Sequence, residues 1–215
     1  MVALRITIVF ITFEGGEGVG KTTQVNLAEA ALRELRIDVC KTKEPGWGVL
    51  GSQLRNMILH PLAESEPTPM AELMLLMADR ANHVTNFIEP ALSNGSIVLC
   101  DRYIDSTIAY QGWGRGMDHT MIRTMNNYVT KGLQPDMTFF LDMEVSESLH
   151  RSQDQNRMEQ LGTEFHQRVK MGFQLEALRS GKRAYFICAT NSIEIVHAEI
   201  MAAIIKKIRD IKERL

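Results

Sequence analysis

A glycine-rich loop between an apolar run and an amphipathic segment constrains the fold of this chain more than any other feature. Residues 15–22 read GGEGVGKT and match the pattern G-x-x-x-x-G-K-[ST]. The continuous apolar and β-branched run at residues 6–13 predicts a buried parallel strand. Residues 23–35 carry apolar side chains at helical spacing, which predicts a helix. Strand, glycine loop and helix in this order indicate a phosphate-binding loop.

The backbone and side chains of this loop suit the binding of a triphosphate. Glycines let successive N–H groups turn inward around an anion, and the following helix adds the positive end of its dipole. The ammonium group of Lys21 can reach the β- and γ-phosphates, and the Thr22 hydroxyl can bind Mg²⁺. We predict that a nucleoside triphosphate contacts the whole loop, namely Gly15, Gly16, Glu17, Gly18, Val19, Gly20, Lys21 and Thr22.

Length, charge and cysteine content exclude several classes of protein. The 215 residues suit one α/β domain with a large core. The formal net charge is −2, whereas proteins that bind nucleic-acid backbones usually carry a basic surface. The three cysteines, Cys40, Cys100 and Cys188, lack zinc-site spacing and suit reduced thiols. Because no apolar run approaches the ~20 residues of a membrane span, we predict a cytoplasmic protein without nucleic-acid or membrane partners.

Strand-like runs alternate with helical stretches, which is typical of a parallel sheet with helices on both faces. We predict an α/β fold of the P-loop NTPase type in a single domain, residues 1–215. Further strands are predicted at residues 37–42, 97–100, 137–141 and 184–189, and further helices at residues 49–59, 70–92 and 193–211. A polar segment at about residues 150–160 fits a solvated loop, but its position after the fourth strand favours a mobile lid.

Residues beyond the loop distinguish among the P-loop classes. The chain has no N-K-x-D tetrapeptide for reading guanine, and its third strand ends in Asp101-Arg102, not in the Asp-Glu pair of a water-activating ATPase. An arginine there points into the crevice at the carboxyl edge of the sheet, where ligands bind. Glu44, Arg55 and Arg80 are expected on the same side. Together they favour a second anionic substrate, and therefore a kinase.

Five segments of the sequence resemble the thymidylate kinase family. In order they read FEGGEGVGKTTQ, KEPG, ADRANH, DRYIDSTIAYQG and PDMTFFLD, and the fourth, residues 101–112, is the most specific. The resemblance implies a nucleoside monophosphate kinase fold with five parallel strands in the order 2-3-1-4-5, helices on both faces and a lid. It also implies transfer of the γ-phosphoryl group of ATP to dTMP, giving dTDP and ADP in dTTP biosynthesis. Mg²⁺ is the implied cofactor, and the implied assembly is a homodimer.

The resemblance assigns roles to the residues expected to bind dTMP. Glu17 is expected near the 3′-hydroxyl, Tyr110 against the deoxyribose, and Arg80 and Gln111 at the thymine edge. The full set is Glu17, Glu44, Arg55, Leu76, Arg80, Asp101, Arg102, Tyr110 and Gln111, of which Arg55 and Arg102 hold the phosphate.

The same resemblance predicts the catalytic and metal-binding groups. Thr22 and Asp101 are expected to hold and organise Mg²⁺. The P-loop has Glu17 and Gly18 where some relatives have an arginine, so the transition-state cation is expected from the lid. The predicted catalytic residues are therefore Lys21, Arg102, Arg151 and Arg157.

The chain departs from the family pattern at three places. Gly46-Trp47-Gly48 replaces Gly-Gly-Thr, Leu76 replaces a phenylalanine that stacks on the base, and the lid is short and poor in arginine. Thymine is thus expected to bind more weakly or to use another platform. Two alternatives remain open at this stage: a kinase for another nucleoside monophosphate or for a deoxynucleoside, and a regulatory P-loop ATPase without phosphotransfer.

Overall fold

Five parallel strands form one sheet in the computed structural model, which describes residues 9–61, 66–152 and 156–213. The order β2-β3-β1-β4-β5 confirms the predicted topology. The strands are β1 (Phe10–Glu14), β2 (Val39–Lys43), β3 (Ile97–Asp101), β4 (Met137–Asp142) and β5 (Ala184–Cys188).

Helices cover both faces of this sheet, as predicted. The α-helices are α1 (Lys21–Glu34), α2 (Gly48–Leu59), α3 (Pro69–His83), α4 (Glu89–Ser93), α5 (Ile104–Thr107), α6 (His119–Val129), α7 (Val145–Arg151), α8 (Thr163–Ser180) and α9 (Ile193–Lys212). Two π-helical segments, Val84–Ile88 and Ile108–Gly114, follow α3 and α5, and a 3₁₀ turn, Gly181–Arg183, precedes β5.

Alternation along β1 explains the two layers. Ile11 and Phe13 are fully buried in the cluster that includes side chains of α1 and α9. Phe10 faces the opposite side, in the cluster formed with the helical segments before and after β3. A strand that is buried on both faces needs this uninterrupted apolar sequence, since its side chains point alternately to the two layers.

The strand register places the chemistry-bearing residues at one edge of the sheet. Phe13 of β1 lies opposite Asp101 of β3 and Phe139 of β4. The carboxyl ends of these three central strands therefore meet at the glycine loop, as expected for ligand sites of open α/β sheets.

The helix predicted at residues 70–92 is present but has a π-helical turn before its end. Pro90 lies in this helix and has no N–H to donate to the carbonyl group of Asn86. The wider turn at Val84–Ile88 accommodates the proline, after which Asn94 and Gly95 end the helix.

Other predictions agree with the structure within two residues at the element ends. The first strand is described only from residue 9 onward, so residues 6–8 of that prediction lie outside the described residues. The same holds for residues 153–155 of the predicted lid. Within the described ranges, none of the helices combines the length and apolar character that a bilayer crossing requires.

Candidate active site

The phosphate-binding loop joins β1 to α1, and two of its glycines have neighbours that exclude a side chain. Gly15 has a φ of 141° and Gly18 a φ of 68°, both in the region that favours glycine. A Cβ atom on Gly15 would lie 2.4 Å from the carbonyl oxygen of Leu141, and one on Gly18 would lie 1.9 Å from that of Ser148. The loop is therefore packed directly against the end of β4 and against α7, which fixes its backbone.

Lys21 and Thr22 begin α1 and lie at the phosphate-binding end of the loop. The Lys21 ammonium group donates to the carbonyl oxygen of Gly16 at 2.5 Å, so the side chain folds back over the loop. The Thr22 hydroxyl donates to Asp101 Oδ2 at 2.5 Å. A hydroxyl and a carboxylate are oxygen ligands of the type that Mg²⁺ prefers, and Mg²⁺ commonly takes only one or two protein ligands beside phosphate oxygens and water. The pair thus fits the predicted metal.

Arg102 connects the phosphate-binding loop with the segment after β3. Its backbone N–H donates to the Phe13 carbonyl at 2.9 Å, and its φ is 71°. One guanidinium nitrogen donates to the Gly15 carbonyl at 2.8 Å, and the other lies 2.9 Å from Glu17 Oε1. The Tyr110 hydroxyl donates to the same Glu17 oxygen at 2.8 Å, and its ring lies under the guanidinium group. Glu17, Arg102 and Tyr110 therefore form one cluster.

The charges in this cluster change the acidity of its members. Burial opposes ionisation of Glu17, but the Arg102 and Lys21 cations outweigh it and lower the pKa of that carboxyl to about 2. Burial, followed by repulsion from Arg102, lowers the pKa of Lys21 to about 8. Lys21 and Arg102 thus lie beside the Glu17 carboxylate, with Asp101 and Glu14 also acting on both, and these two cations are the groups that can attract an anionic phosphate.

Glu14 lies beneath this cluster and was not among the predicted site residues. Its carboxylate is fully buried and accepts hydrogen bonds from the Tyr103 backbone N–H at 2.8 Å and from the Ser106 hydroxyl at 2.5 Å. The Ser106 oxygen in turn accepts from Arg102 at 3.2 Å. Burial, and then the charge of Asp105, raise the pKa of Glu14 to about 7.

A cavity of about 650 Å³, part of it open to solvent, lies beside the cluster. It is lined by all the residues predicted to bind dTMP except Asp101, that is Glu17, Glu44, Arg55, Leu76, Arg80, Arg102, Tyr110 and Gln111. Glu17 and Arg102 lie next to the phosphate loop, and Ile58 and Leu59 of α2 join Leu76 as apolar lining. The cavity therefore combines charged and apolar groups, as a nucleotide requires.

Arg80 and Glu44 form a buried ion pair at the wall of this cavity. Arg80 Nε donates to Glu44 Oε2 at 2.7 Å, and a second guanidinium nitrogen donates to the Tyr103 carbonyl at 3.1 Å. His83 Nδ1 lies 2.8 Å from the other Glu44 oxygen. Burial alone would raise the pKa of Glu44, but the charges and hydrogen bonds of Arg80 and His83 together outweigh burial and lower it. The guanidinium plane of Arg80 is therefore held rigidly.

Trp47 does not line the cavity in place of the missing phenylalanine. Its ring stacks on His83 at 5.6 Å between centroids and lies 5.2 Å from the Phe87 ring. Arg55 donates to the Pro45 carbonyl at 2.9 Å, which ties α2 to the loop that carries Trp47. The tryptophan therefore anchors this loop on the end of α3 and on the π-helical segment that follows it.

The two lid arginines contact protein groups outside the phosphate loop. Arg151 pairs with Glu147 at 2.5 Å and donates to the Ala189 carbonyl at 3.2 Å. Arg157 pairs with Glu72, and its Nε donates to the Ile58 carbonyl at 3.1 Å. Their predicted role at the transition state remains a prediction.

Asn156 and Met158 of the lid segment also line the cavity, and neither was among the predicted site residues. Met158 is buried in the cluster that includes Tyr110, and Asn156 Oδ1 accepts from the Met158 N–H at 2.9 Å. In the sequence, the only indication of this contact was Met158, a single apolar residue within a polar segment. Glu14 offered a clearer signal, because it is an acid between a buried strand and a glycine loop.

The raised pKa of Glu14 predicts a pH-dependent stability difference. Because the folded pKa (about 7) exceeds the usual value of 4.5, the folded chain binds the proton more tightly, and stability is lost as pH rises through this window. From about pH 5 to pH 8, we expect the unfolding free energy of wild type to fall by roughly 2–3 kcal/mol relative to that of the Glu14→Gln variant. Urea unfolding at each pH measures this difference, and a difference that stays constant over the range contradicts the assignment.

Comparisons with known proteins agree with this geometry. The family model described as Thymidylate kinase matches residues 13–200. A thymidylate kinase of Synechococcus sp. (strain JA-2-3B'a(2-13)) is 46% identical over 91% of this chain and 93% of its own length. That of Trichodesmium erythraeum is 43% identical over 93% and 96%. The crystal structure of the thymidylate kinase from Ehrlichia chaffeensis superposes with a TM-score of 0.73 at 34% identity, covering 91% of this chain and 98% of the other. The chain therefore belongs to the thymidylate kinase family.

Proposed function

We propose that this protein transfers the γ-phosphoryl group of ATP to dTMP, which gives dTDP and ADP for the synthesis of dTTP. One observation carries the proposal: the Glu17–Arg102–Tyr110 cluster joins a phosphate-binding loop to a nucleotide-sized cavity in a chain of the thymidylate kinase family. The loop takes the triphosphate of ATP, and the cavity takes the monophosphate nucleotide. The two substrates thus meet at the carboxyl edge of the sheet.

Each group near the loop has a proposed role in binding phosphate. The N–H groups of residues 15–22 surround the β- and γ-phosphates, with Lys21 as the nearest point charge. Arg102 and Arg55 hold the dTMP phosphate, since a planar guanidinium group matches two phosphate oxygens at once. Mg²⁺ held through Thr22 and Asp101 would neutralise charge on the β- and γ-oxygens.

The rest of the cavity recognises the nucleoside. Glu17 is proposed to accept a hydrogen bond from the 3′-hydroxyl, and the buried Tyr110 ring, whose hydroxyl donates to Glu17, is proposed to pack against the deoxyribose. Leu76 provides an apolar contact for thymine, and Arg80 and Gln111 bind the polar edge of the base. Glu44 acts through Arg80, which it holds in place at 2.7 Å.

Phosphoryl transfer requires positioning and charge rather than covalent catalysis by the protein. Negative charge spreads over the equatorial oxygens in a loose transition state, so pre-positioned cations stabilise it. Water must be excluded, because it would otherwise accept the phosphoryl group. We propose that the segment at about residues 150–160 closes over the rest of this single domain and so excludes water.

A coupled assay of ADP release with ATP-Mg²⁺ tests the activity against dTMP, dUMP, dCMP and UMP. We expect turnover with dTMP far above that with the other monophosphates. Lys21→Ala should lose several orders of magnitude in turnover while its circular dichroism spectrum and unfolding transition remain those of a folded protein. ATP hydrolysis that does not depend on any monophosphate would contradict the proposed function. A Lys21→Ala variant with more than about a tenth of wild-type turnover, a loss of only ~1.4 kcal/mol, would contradict the role of this lysine.

The lid arginines are proposed to supply the transition-state cation, and their ion pairs differ in strength. Arg151 and Glu147 have side chains that are 43% and 42% exposed, so their pair contributes at most ~1 kcal/mol. Arg157 is 11% exposed and pairs with a fully buried Glu72, and separating such a pair costs ~3–5 kcal/mol. Arg151 is therefore the arginine that closure can redirect at lower cost.

We predict that removing the cation lowers kcat while the KM for dTMP changes little, because an arginine recruited on closure binds the transition state more tightly than the ground state. Arg151→Ala should lower kcat by ~10³-fold, with a similar effect of Arg157→Ala if that arginine contributes the cation. Arg179→Ala on the exposed face of α8 is the matched control and should leave kcat unchanged. Wild-type kcat in both single variants and in the double variant would show that the cation comes from elsewhere.

A homodimer is the proposed assembly. Apolar side chains are exposed on three neighbouring helices: Val49, Leu50 and Met57 on α2, Met70 and Met74 on α3, and Tyr128 on α6. Burying such a surface in a symmetric interface removes apolar area from water. Sedimentation velocity at micromolar concentration should give a species of twice the chain mass, and a monomer at all concentrations would refute the dimer.

The cytoplasm is the proposed location. All three cysteines are free thiols in the structure, which suits a reducing compartment. ATP and dTMP, the proposed substrates, are also found there.

A further inference from the structure

Glu72 of α3 joins three parts of the molecule through a single carboxylate. The residue is fully buried, and its Oε1 accepts a hydrogen bond from Gln111 Nε2 at 2.7 Å. Its Oε2 accepts from Arg115 at 3.1 Å and also from Arg157 of the lid segment. The carboxylate therefore contacts the cavity residue Gln111 on one side and the lid on the other.

The contact with Glu72 determines which way the Gln111 amide faces. An ionised carboxylate only accepts hydrogen bonds, so the NH₂ group of the amide must be the end that faces it. Gln111 is 3% exposed, and its Oε1 atom has no hydrogen-bond partner among the described residues. Gln111 lines the cavity, whereas Glu72 is not among the described residues that do. The amide oxygen is therefore the acceptor of this side chain that has no partner among the described residues, and a buried acceptor is costly to leave unpaired.

We propose that Glu72 is a positioning residue for base selection, which fixes the Gln111 amide so that its oxygen accepts a hydrogen bond from a ring N–H of the base. Thymine and uracil carry a hydrogen on N3, whereas cytosine has a lone pair there, which repels the amide oxygen. The proposal rests on the proposed function, because it concerns the monophosphate that the cavity receives. It assigns the rejection of dCMP to a residue that does not itself touch the base.

The chain provides a matched control for this role. Glu66 also pairs with Arg157, at 2.8 Å, but it is exposed and has no contact with Gln111. Glu72→Gln and Glu66→Gln are the same chemical change, and each removes one ion pair to Arg157; Glu72→Gln also removes the ion pair to Arg115. Only Glu72→Gln introduces an amide that can either donate to or accept from Gln111, so that Gln111 is free to turn over.

The experiment measures kcat/KM for dTMP and for dCMP on the same preparation of each variant. The ratio of the two values does not depend on the fraction of enzyme that is folded. We expect Glu72→Gln to lower the dTMP-to-dCMP ratio by roughly 10-fold or more, since a site with a fixed hydrogen-bond partner rejects the mismatched base most strongly. Glu66→Gln should keep the wild-type ratio. An equal loss on both monophosphates, with the ratio unchanged in Glu72→Gln, would overturn the proposal and leave Glu72 a structural role only.

Two further measurements separate this role from folding effects. In a Gln111→Ala background, Glu72→Gln should change the ratio no further, because Glu72 acts through Gln111. A further fall in the ratio there would overturn the proposal.

The second measurement needs no variant. The wild-type enzyme should use dTMP methylated at N3 at least ~100-fold less efficiently than dTMP. Similar use of the two compounds would overturn the proposal even if Glu72→Gln does not fold. A wild-type enzyme without turnover on dTMP would instead refute the proposed function, and with it this inference.

Discussion

The rest of the site depends on the contacts that the guanidinium group of Arg102 makes. It bonds at once to the Gly15 carbonyl, to Glu17 and to Ser106, so it holds the glycine loop against the segment after β3. The backbone of this arginine adopts a left-handed conformation that most residues avoid, and its N–H bond to Phe13 stabilises that conformation. The cation is therefore in position before any ligand arrives, and a pre-positioned charge needs no reorganisation during the reaction.

Charge balance around Arg102 explains why acids lie so close to a phosphate-binding loop. Lys21 is buried beside the partly buried Arg102 cation, and burial together with repulsion from Arg102 lowers the pKa of Lys21 to about 8. Glu17 compensates part of this charge, and its low pKa of about 2 keeps it ionised at neutral pH. Glu14 sits one layer deeper and holds the Tyr103 N–H and the Ser106 hydroxyl that support Arg102. Glu17, together with Asp101 and Glu14, thus offsets the charges of Lys21 and Arg102, so the loop does not carry two uncompensated buried charges.

The parts predicted from the sequence are those encoded by residues near one another in the chain. Strand runs, the loop at residues 15–22 and the helix ends follow from local patterns, and the strand order follows from the family resemblance. The bonds Glu14–Ser106 and Glu72–Arg157 join residues that are 92 and 85 positions apart, and no local pattern identifies such partners. The lid is the clearest example. From the sequence, its two arginines were predicted to supply cations to the phosphates. That Arg157 contacts the buried acid Glu72 could be identified only from the fold.

The network around Glu72 places two requirements on one side chain. Its carboxylate bonds to Gln111 at the cavity and to Arg157 at the lid, so neither contact can shift without affecting the other. A base that donates a hydrogen bond to the Gln111 oxygen leaves the Gln111 amide in place. The Glu72 carboxylate then keeps the orientation in which it also holds Arg157. A base that forces the amide to turn brings the Gln111 oxygen against the Glu72 carboxylate oxygen, and the repulsion between these two acceptors weakens the same contact. The proposed role of Glu72 therefore implies, by reciprocity, that the lid segment in its bonded position would favour the base that fits.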